Sequence, residues 1–356
     1  MARFSRFGQP AIDYASRIIP GYGGDAVALT SQVTLNPGDS LDLSADALRN
    51  GVGESLQIDT LRWTIDAQQQ VESADPPTSA IGMPGGGVEI SISFGGNPIT
   101  AGEVPIYCLG TSVGQDVEHA ILGVADDTNT EMLLGAYAGG IWEFDHPLTV
   151  DANETFSVHL THHGLQNLPV VVSLSLTGRA GRELPRSRWL PYVASWKPPA
   201  FDPHVPTAAS PSIETSTERD LVNRINGKLH VSRFIGRLLR LGVTGAPLGG
   251  ASVIQNNERV FPSVEEGISG QPTTEWFPGA VDSFVTISMR DSRANDNIPA
   301  AQPFRMVFEP ESHAWECPHV LDENGYYIAQ ITLSVPAVLD ASVQPSIAMI
   351  GSWEGK

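Results

Sequence analysis

Trp142-Glu143-Phe144-Asp145-His146 is followed by a turn at Asp151-Ala152-Asn153 and by the alternating run Phe156-Ser157-Val158-His159-Leu160. The chain repeats itself near its other end: Trp315-Glu316-Cys317-Pro318-His319, a turn at Asp322-Glu323-Asn324-Gly325, then Tyr327-Ile328-Ala329-Gln330-Ile331. The two tryptophans lie 173 positions apart, the turn asparagines 171, and the closing glycines Gly178 and Gly351 again 173. Upstream, Leu56-Gln57-Ile58-Asp59-Thr60-Leu61-Arg62-Trp63 stands 173 positions before Leu229-His230-Val231-Ser232-Arg233-Phe234-Ile235-Gly236. Two blocks that are well separated within each half and share one spacing read as a duplication. The expectation is two homologous β-domains.

Composition agrees. A chain of 356 residues suits two domains of ordinary size. Only 17% of residues are charged, against 35 glycines and 27 prolines, the profile of short strands joined by turns. A hydrophobic fraction of 41% is enough for packed cores. The net charge of −19 argues against general nucleic-acid binding, which needs clustered Lys and Arg, so any genome contact is local. Cys108 and Cys317 form no CxxC pair and occupy non-equivalent places, suggesting neither a disulfide framework nor a zinc site. No secretory apolar segment follows Met1 and no run is long enough to span a membrane, so a soluble protein made in the cytosol is expected.

In chain order, residues 1–25 form an N-terminal arm in which Arg3, Arg6 and Arg17 supply charge beside Phe4 and Phe7. Residues 26–178 make the first domain. Its strands are expected over Ala26–Leu35, Leu56–Ile65 (with a bulge where the apolar phase slips), Val88–Phe94, Val104–Leu109, Met132–Phe144, Phe156–Leu160 and Val170–Leu176. About eight strands is the number of a jelly roll. Residues 179–228 read as a linker with seven prolines, basic at Arg179, Arg182, Arg186 and Arg188, ending in a short helix capped at Thr215-Ser216-Thr217-Glu218. Residues 229–356 make the second domain, with strands that include Phe284–Met289 and Phe304–Phe308 and a long loop over Gly242–Gly279. The fold class is thus all-β: two tandem eight-stranded sandwiches, a Pro-rich linker and a short helix.

Chemical motifs are scarce. His159 and His162 lie three apart and fall on opposite faces of a strand, unlike the His-x-His pair of metal-binding jelly rolls. Asp126-Asp127-Thr128-Asn129 lacks the spacing of a calcium loop. No nucleophile elbow or phosphate-binding loop occurs. No catalytic, cofactor or metal residue is assigned. Trp142, His146, Trp315 and His319 read as a structural corner, the indole filling the core and the polar groups satisfying turn amides.

Two jelly rolls in one chain, carried on the Leu56/Leu229 and Trp142/Trp315 blocks, resemble the double jelly-roll major capsid proteins of tailless icosahedral bacteriophages and, more distantly, adenovirus hexon. The resemblance covers about residues 26–356. It implies a virion shell protein, a homotrimer with a pseudo-hexagonal outline, neighbouring capsomers and minor or vertex proteins as partners, and no enzyme activity or cofactor. It also places residues 1–25 at the inner side, where Arg3, Arg6, Arg17, Arg179, Arg182, Arg186 and Arg188 become candidate contacts with the genome or an internal membrane. Rival readings are a carbohydrate-binding or receptor-binding virion protein, exposing Trp189, Trp196, Trp276 and Phe277, and a jelly-roll glycan hydrolase or amidase.

Overall fold

In the computed structural model, the residues described are 25–72, 88–112, 117–124, 131–163, 169–180, 187–197, 212–216, 220–242, 253–255, 258–260, 285–308, 314–334 and 341–355, less positions 45, 47, 52 and 294. The first half contributes β1 (Asp25–Leu35), β2 (Ser40–Asp42), β3 (Leu56–Glu72), β4 (Val88–Phe94), β5 (Asn97–Pro98), β6 (Val104–Pro105), β7 (Thr111–Ser112), β8 (Val117–Val124), β9 (Glu131–Val150), β10 (Phe156–His162) and β11 (Val170–Ala180). The second contributes β12 (Trp189–Trp196), β13 (Ser212–Ser216), β14 (Leu221–Val222), β15 (Leu229–Gly242), a small hairpin of β16 (Val253–Gln255) and β17 (Glu258–Val260), β18 (Val285–Asp291), β19 (Asp296–Pro303), β20 (Ala314–Leu321), β21 (Tyr326–Ser334) and β22 (Ala341–Glu354).

One sheet of the first half runs β1-β11-β3-β9, extended by β7 and β8, and the other runs β2-β10-β4-β5, with β6 also on β4. In the second half the sheets run β12-β22-β15-β20 and β13-β21-β18-β19, with β14 also on β21. Counting eight principal strands per half, both halves have the same orders, 1-8-3-6 and 2-7-4-5. That is the jelly roll, closed by antiparallel pairs over a core that the apolar alternation fills. The pattern is plain in β4 and β10, where every second residue is buried.

The linker expected over residues 179–228 is different from this. β12, β13 and β14 all lie within it: β12 is the first principal strand of the second jelly roll, and β13 with β14, both paired to β21, is the second. Pro191 does not prevent β12 from pairing with β22 because β12 is an edge strand, where a missing N–H can face outward. The helix expected from Thr215 to Ile225 is absent from the described residues there, which hold β13, β14 and a turn. Conversely, Ile106–Cys108 and Phe304–Val307 (α1), both expected as strand, each form one helical turn behind a proline, Pro105 and Pro303.

The duplication reaches single atoms. β3 carries a bulge at Asp59 and β15 one at Ser232, 173 residues on. Opposite the bulges sit Gly178 and Gly351, and a Cβ on either would overlap the carbonyl of Gln57 or of His230, again 173 apart. Two buried asparagines, Asn50 and Asn223, share the same spacing and are both 0% exposed. Asn50 accepts from Asn153 N (2.9 Å), donates its own N–H to Glu154 O (2.9 Å), and gives Nδ2–H to Val150 O and Glu54 O (both 2.9 Å). Asn223 accepts from Asn324 N (3.2 Å), donates to Gly325 O (2.8 Å), and gives Nδ2–H to Gly227 O (2.9 Å), Asp322 O (3.0 Å) and Leu321 O (3.3 Å). Each amide thus ties the start of the third strand to the turn between the sixth and seventh, where Asn153 (φ 69) and Asn324 (φ 59) take the left-handed conformation.

Removing either clamp leaves buried carbonyls without a donor. Asn50→Ala and Asn223→Ala are each expected to cost about 3 kcal/mol, read from the urea midpoint of the full-length protein. An exposed control such as Asn36→Ala should cost less than half of that.

Candidate assembly surfaces

The two sandwiches meet along a continuous seam. β12 is an edge strand, and its outer side takes main chain from the first sandwich: Val193 N donates to Ile99 O (2.9 Å) and Ala101 N to Val193 O (2.8 Å), with a parallel bridge between Thr100 and Val193. Every residue of β22 from Pro345 to Trp353 is buried, as is every residue of β12 from Leu190 to Ala194. Side chains alternate between the two faces of a strand, so this sheet is covered on both. Its own core covers one. The 3-10 turn Ile106–Cys108, itself at most 1% exposed, and β9 lie against the other.

Polar groups fasten the rim. Arg233 donates Nη2–H to Glu143 O (2.8 Å), and Ser187 N donates to Thr149 Oγ1 (2.8 Å). The His146 ring stacks on Trp189 at 4.5 Å, and Trp189 meets His230 edge-on at 5.0 Å. Lys197 Nζ lies 2.6 Å from Glu89 Oε1, while His163 Nε2 lies 3.0 Å from Glu89 Oε2. Burial pushes the Glu89 carboxyl up, but the Lys197 ammonium and then His163 outweigh it and hold the carboxyl below its ordinary range. Glu89, Glu103 and His163 have ligand atoms within 4.8 Å of one another, a set that could hold a divalent cation. Lys197 already sits on one of its oxygens, so a cation there would have to displace an ammonium.

The predicted residues are scattered by the fold. Arg3, Arg6, Arg17, Arg182 and Arg186 lie outside the described residues, as do Trp276, Phe277 and Asp126–Asn129. Arg179 is half-buried in β11, and Arg188 is exposed just before β12, where its carbonyl accepts from Gly355 N (2.7 Å). Trp142 is buried, pairing with Leu61, and Trp315 half-buried, pairing with Phe234, equivalent places in the two halves. The histidines are not equivalent. His319 pairs with Val231, and the residue in that place in the first half is Leu148, opposite Ile58. β9 holds two more residues than β20 in its bulge, which moves His146 out to the seam. The turn amides are satisfied by Asn50 and Asn223, which the 173-residue spacing of Leu48-Arg49-Asn50 and Leu221-Val222-Asn223 could have revealed.

His159 and His162 do fall on opposite faces of β10, His162 buried and His159 bonded to Asp42 Oδ1 (2.7 Å) and Ser40 Oγ (2.9 Å). Cys317, His319 and Asp291 gather on the second sandwich, His319 Nε2 lying 3.4 Å from Asp291 Oδ2. Burial first, and then the Asp291 carboxylate, push the Cys317 thiol up, the opposite of what a nucleophile needs.

No family model and no curated protein matches the chain. Among solved structures it is similar to the STIV MCP (Sulfolobus turreted icosahedral virus; 9% identity, 93% of this chain and 97% of that one, TM-score 0.42). It is also similar to the major capsid protein of bacteriophage PM2 (7% identity, 91% and 98%, TM-score 0.34) and to the mavirus major capsid protein (7%, 92% and 87%, TM-score 0.36).

A carboxyl held low in the folded state stabilises at pH values above its ordinary range, and that contribution fades as pH falls through the folded value. Lys197→Met should therefore lower stability at pH 7 by about 1–2 kcal/mol. The gap to the wild type should narrow at pH 3, measured by urea denaturation at both pH values. An equal gap at the two would show that Lys197 acts through its alkyl chain alone.

Proposed function

We propose that this chain is the major capsid protein of an icosahedral virus, a structural component of the virion made in the host cytoplasm and assembled as a trimer. The observation that carries the proposal is the pair of jelly rolls of one strand order fixed side by side by a seam buried on both sides. Two near-equivalent blocks per chain allow three chains to present six blocks, which lets a three-fold assembly fill positions of six-fold surroundings. Rigidity is what such a unit needs, and the seam supplies it through main-chain hydrogen bonds rather than through a hinge.

Function in this reading resides in area. Neighbouring capsomers and minor or vertex proteins bind along the sides and ends of the sandwiches, where obligate interfaces bury thousands of Å². The net charge of −19 keeps free subunits soluble and apart until they meet complementary surfaces. Arg3, Arg6, Arg17, Arg182 and Arg186, with Arg179 and Arg188, give local positive charge for genome or membrane contact.

The full-length protein is expected to sediment as three chains at micromolar concentration and to give pseudo-hexagonal particles in negative-stain electron microscopy. A chain that stays monomeric up to hundreds of micromolar, under every salt and pH condition in which it is folded, would overturn the proposal.

A further inference from the structure

Four charged or titratable side chains meet on the outer face of the first sandwich, beside the seam. Thr161 of β10 and Pro105 of β6 lie opposite Glu89 of β4 on its two sides, so their side chains share one face of the sheet. Glu103 stands two residues before Pro105 and His163 two residues beyond Thr161, and alternation returns both to that face. They approach Glu89 from opposite ends of the row. One ligand atom from each of Glu89, Glu103 and His163 falls within 4.8 Å of the other two. Solvent reaches all three, their side chains being 16%, 40% and 42% exposed. The fourth member, Lys197, comes from the end of β12 in the second sandwich.

Both carboxylates are held by donors that are not themselves ligands. Lys197 Nζ lies on Glu89 Oε1 (2.6 Å), and Thr161 Oγ1 donates to Glu103 Oε1 (2.8 Å). Glu89 Oε2 is left to face His163 Nε2 at 3.0 Å. Ligands of a tetrahedral zinc ion, at bond lengths of about 2.0–2.2 Å, stand roughly 3.4 Å apart, so this pair needs little movement to admit one. A cation on Oε1 would compete with Lys197, whereas one on Oε2 leaves the ammonium in place as an outer partner. Ligating carboxylates in metal sites are oriented by such hydrogen-bonding partners.

The duplication supplies an internal comparison. By the ladder anchors, Glu89 corresponds to Thr286, Glu103 to Ala301 and His163 to Ser334. None of these three carries a carboxylate or an imidazole. A face that had only to be wet would accept the neutral set, as the second sandwich does. The first sandwich instead brings an imidazole and two carboxylates together from three separate segments.

We propose that Glu89, Glu103 and His163 form a binding site for a zinc-type dication, with water completing its shell. An imidazole with two carboxylates suits zinc better than calcium, which takes six or more oxygen ligands. The ion ties β4 and the end of β10 to the segment that contains Glu103. That segment also carries Ile99 and Ala101, whose main chain binds the edge of β12. Metal binding therefore fastens the seam from the side of the first sandwich. The site lies within one chain and stands apart from the capsid reading.

The test uses full-length protein freed of metal with a chelator and titrated with zinc chloride by isothermal titration calorimetry. One zinc ion per chain is expected at this site. Saturating zinc should raise the thermal unfolding midpoint, and the same concentration of calcium should not. His163→Ala and Glu103→Gln, both at exposed positions, should each weaken zinc binding tenfold or more, with the fold checked by circular dichroism. A double variant, Cys317→Ser with His319→Ala, removes the histidine and thiol beside Asp291 and should bind zinc as the wild type does. Absence of saturable zinc binding by the wild type overturns the site. So does binding that survives both His163→Ala and Glu103→Gln, or that is lost in the Cys317 and His319 double variant.

Discussion

A sheet that is apolar on both faces cannot stand at the surface of a protein, and the architecture follows from that constraint. β22 is buried from Pro345 to Trp353, with Ile347 and Met349 turned to its own core and Ala348 and Ile350 turned away from it. Exposing a large apolar side chain costs about 1.5–3 kcal/mol, so the outward row, with Ile235 beside it, requires a cover. The first sandwich is that cover. Its 3-10 turn and the bulge of β9 press on this face, and its Ile99–Ala101 main chain completes the edge of β12. The second sandwich is therefore not an independent unit tethered by a linker: its first strand is held from both sides, by β22 and by its neighbour.

The two halves keep the backbone and vary the filling. Trp63 is buried in β3, bonded to Leu109 O (2.7 Å), over a glycine, Gly140, whose Cβ would strike the indole. At the same place in β15 stands Gly236, and the ring of Phe308 comes in from behind α1 to occupy the space. The same space is thus filled by an aromatic ring from two different elements, Trp63 from β3 and Phe308 from the segment after α1, as close-packed cores demand. The bulge, its facing glycine and the asparagine clamp are the same in both halves. Those features satisfy main-chain groups, and main chain gives fewer alternatives than side-chain volume does.

Legibility followed the same division. Alternation placed β1, β4 and β10 to within a residue or two and found the start of β11, which runs four residues past the expected end, and the phase slip after Ile58 located the bulge of β3. Proline density misled at Trp189–Trp196, because a strand's tolerance for proline depends on its place in the sheet, and place is not written in the strand. The helix expected near Thr215 had a good cap and a good stop, yet Ser212–Ser216 gains more by pairing with β21, a partner over a hundred residues away. Trp-Glu-x-x-His looked like one corner used twice. Only the registers against Ile58 and Val231 separate His146 from His319.

What the sequence determined by itself was the class and the count: two β-domains related by a spacing of 173, acidic overall, without a concentrated chemical motif. Local periodicity and repetition suffice for that, since both follow from which face of a strand meets a core. Which strands are edges, which outer faces are covered and which side chains meet across the seam were decided only in three dimensions. The Ile350 and Thr177 positions are equivalent in the chain and different in environment, because one is buried against the neighbouring sandwich and the other is only half-buried among the described residues.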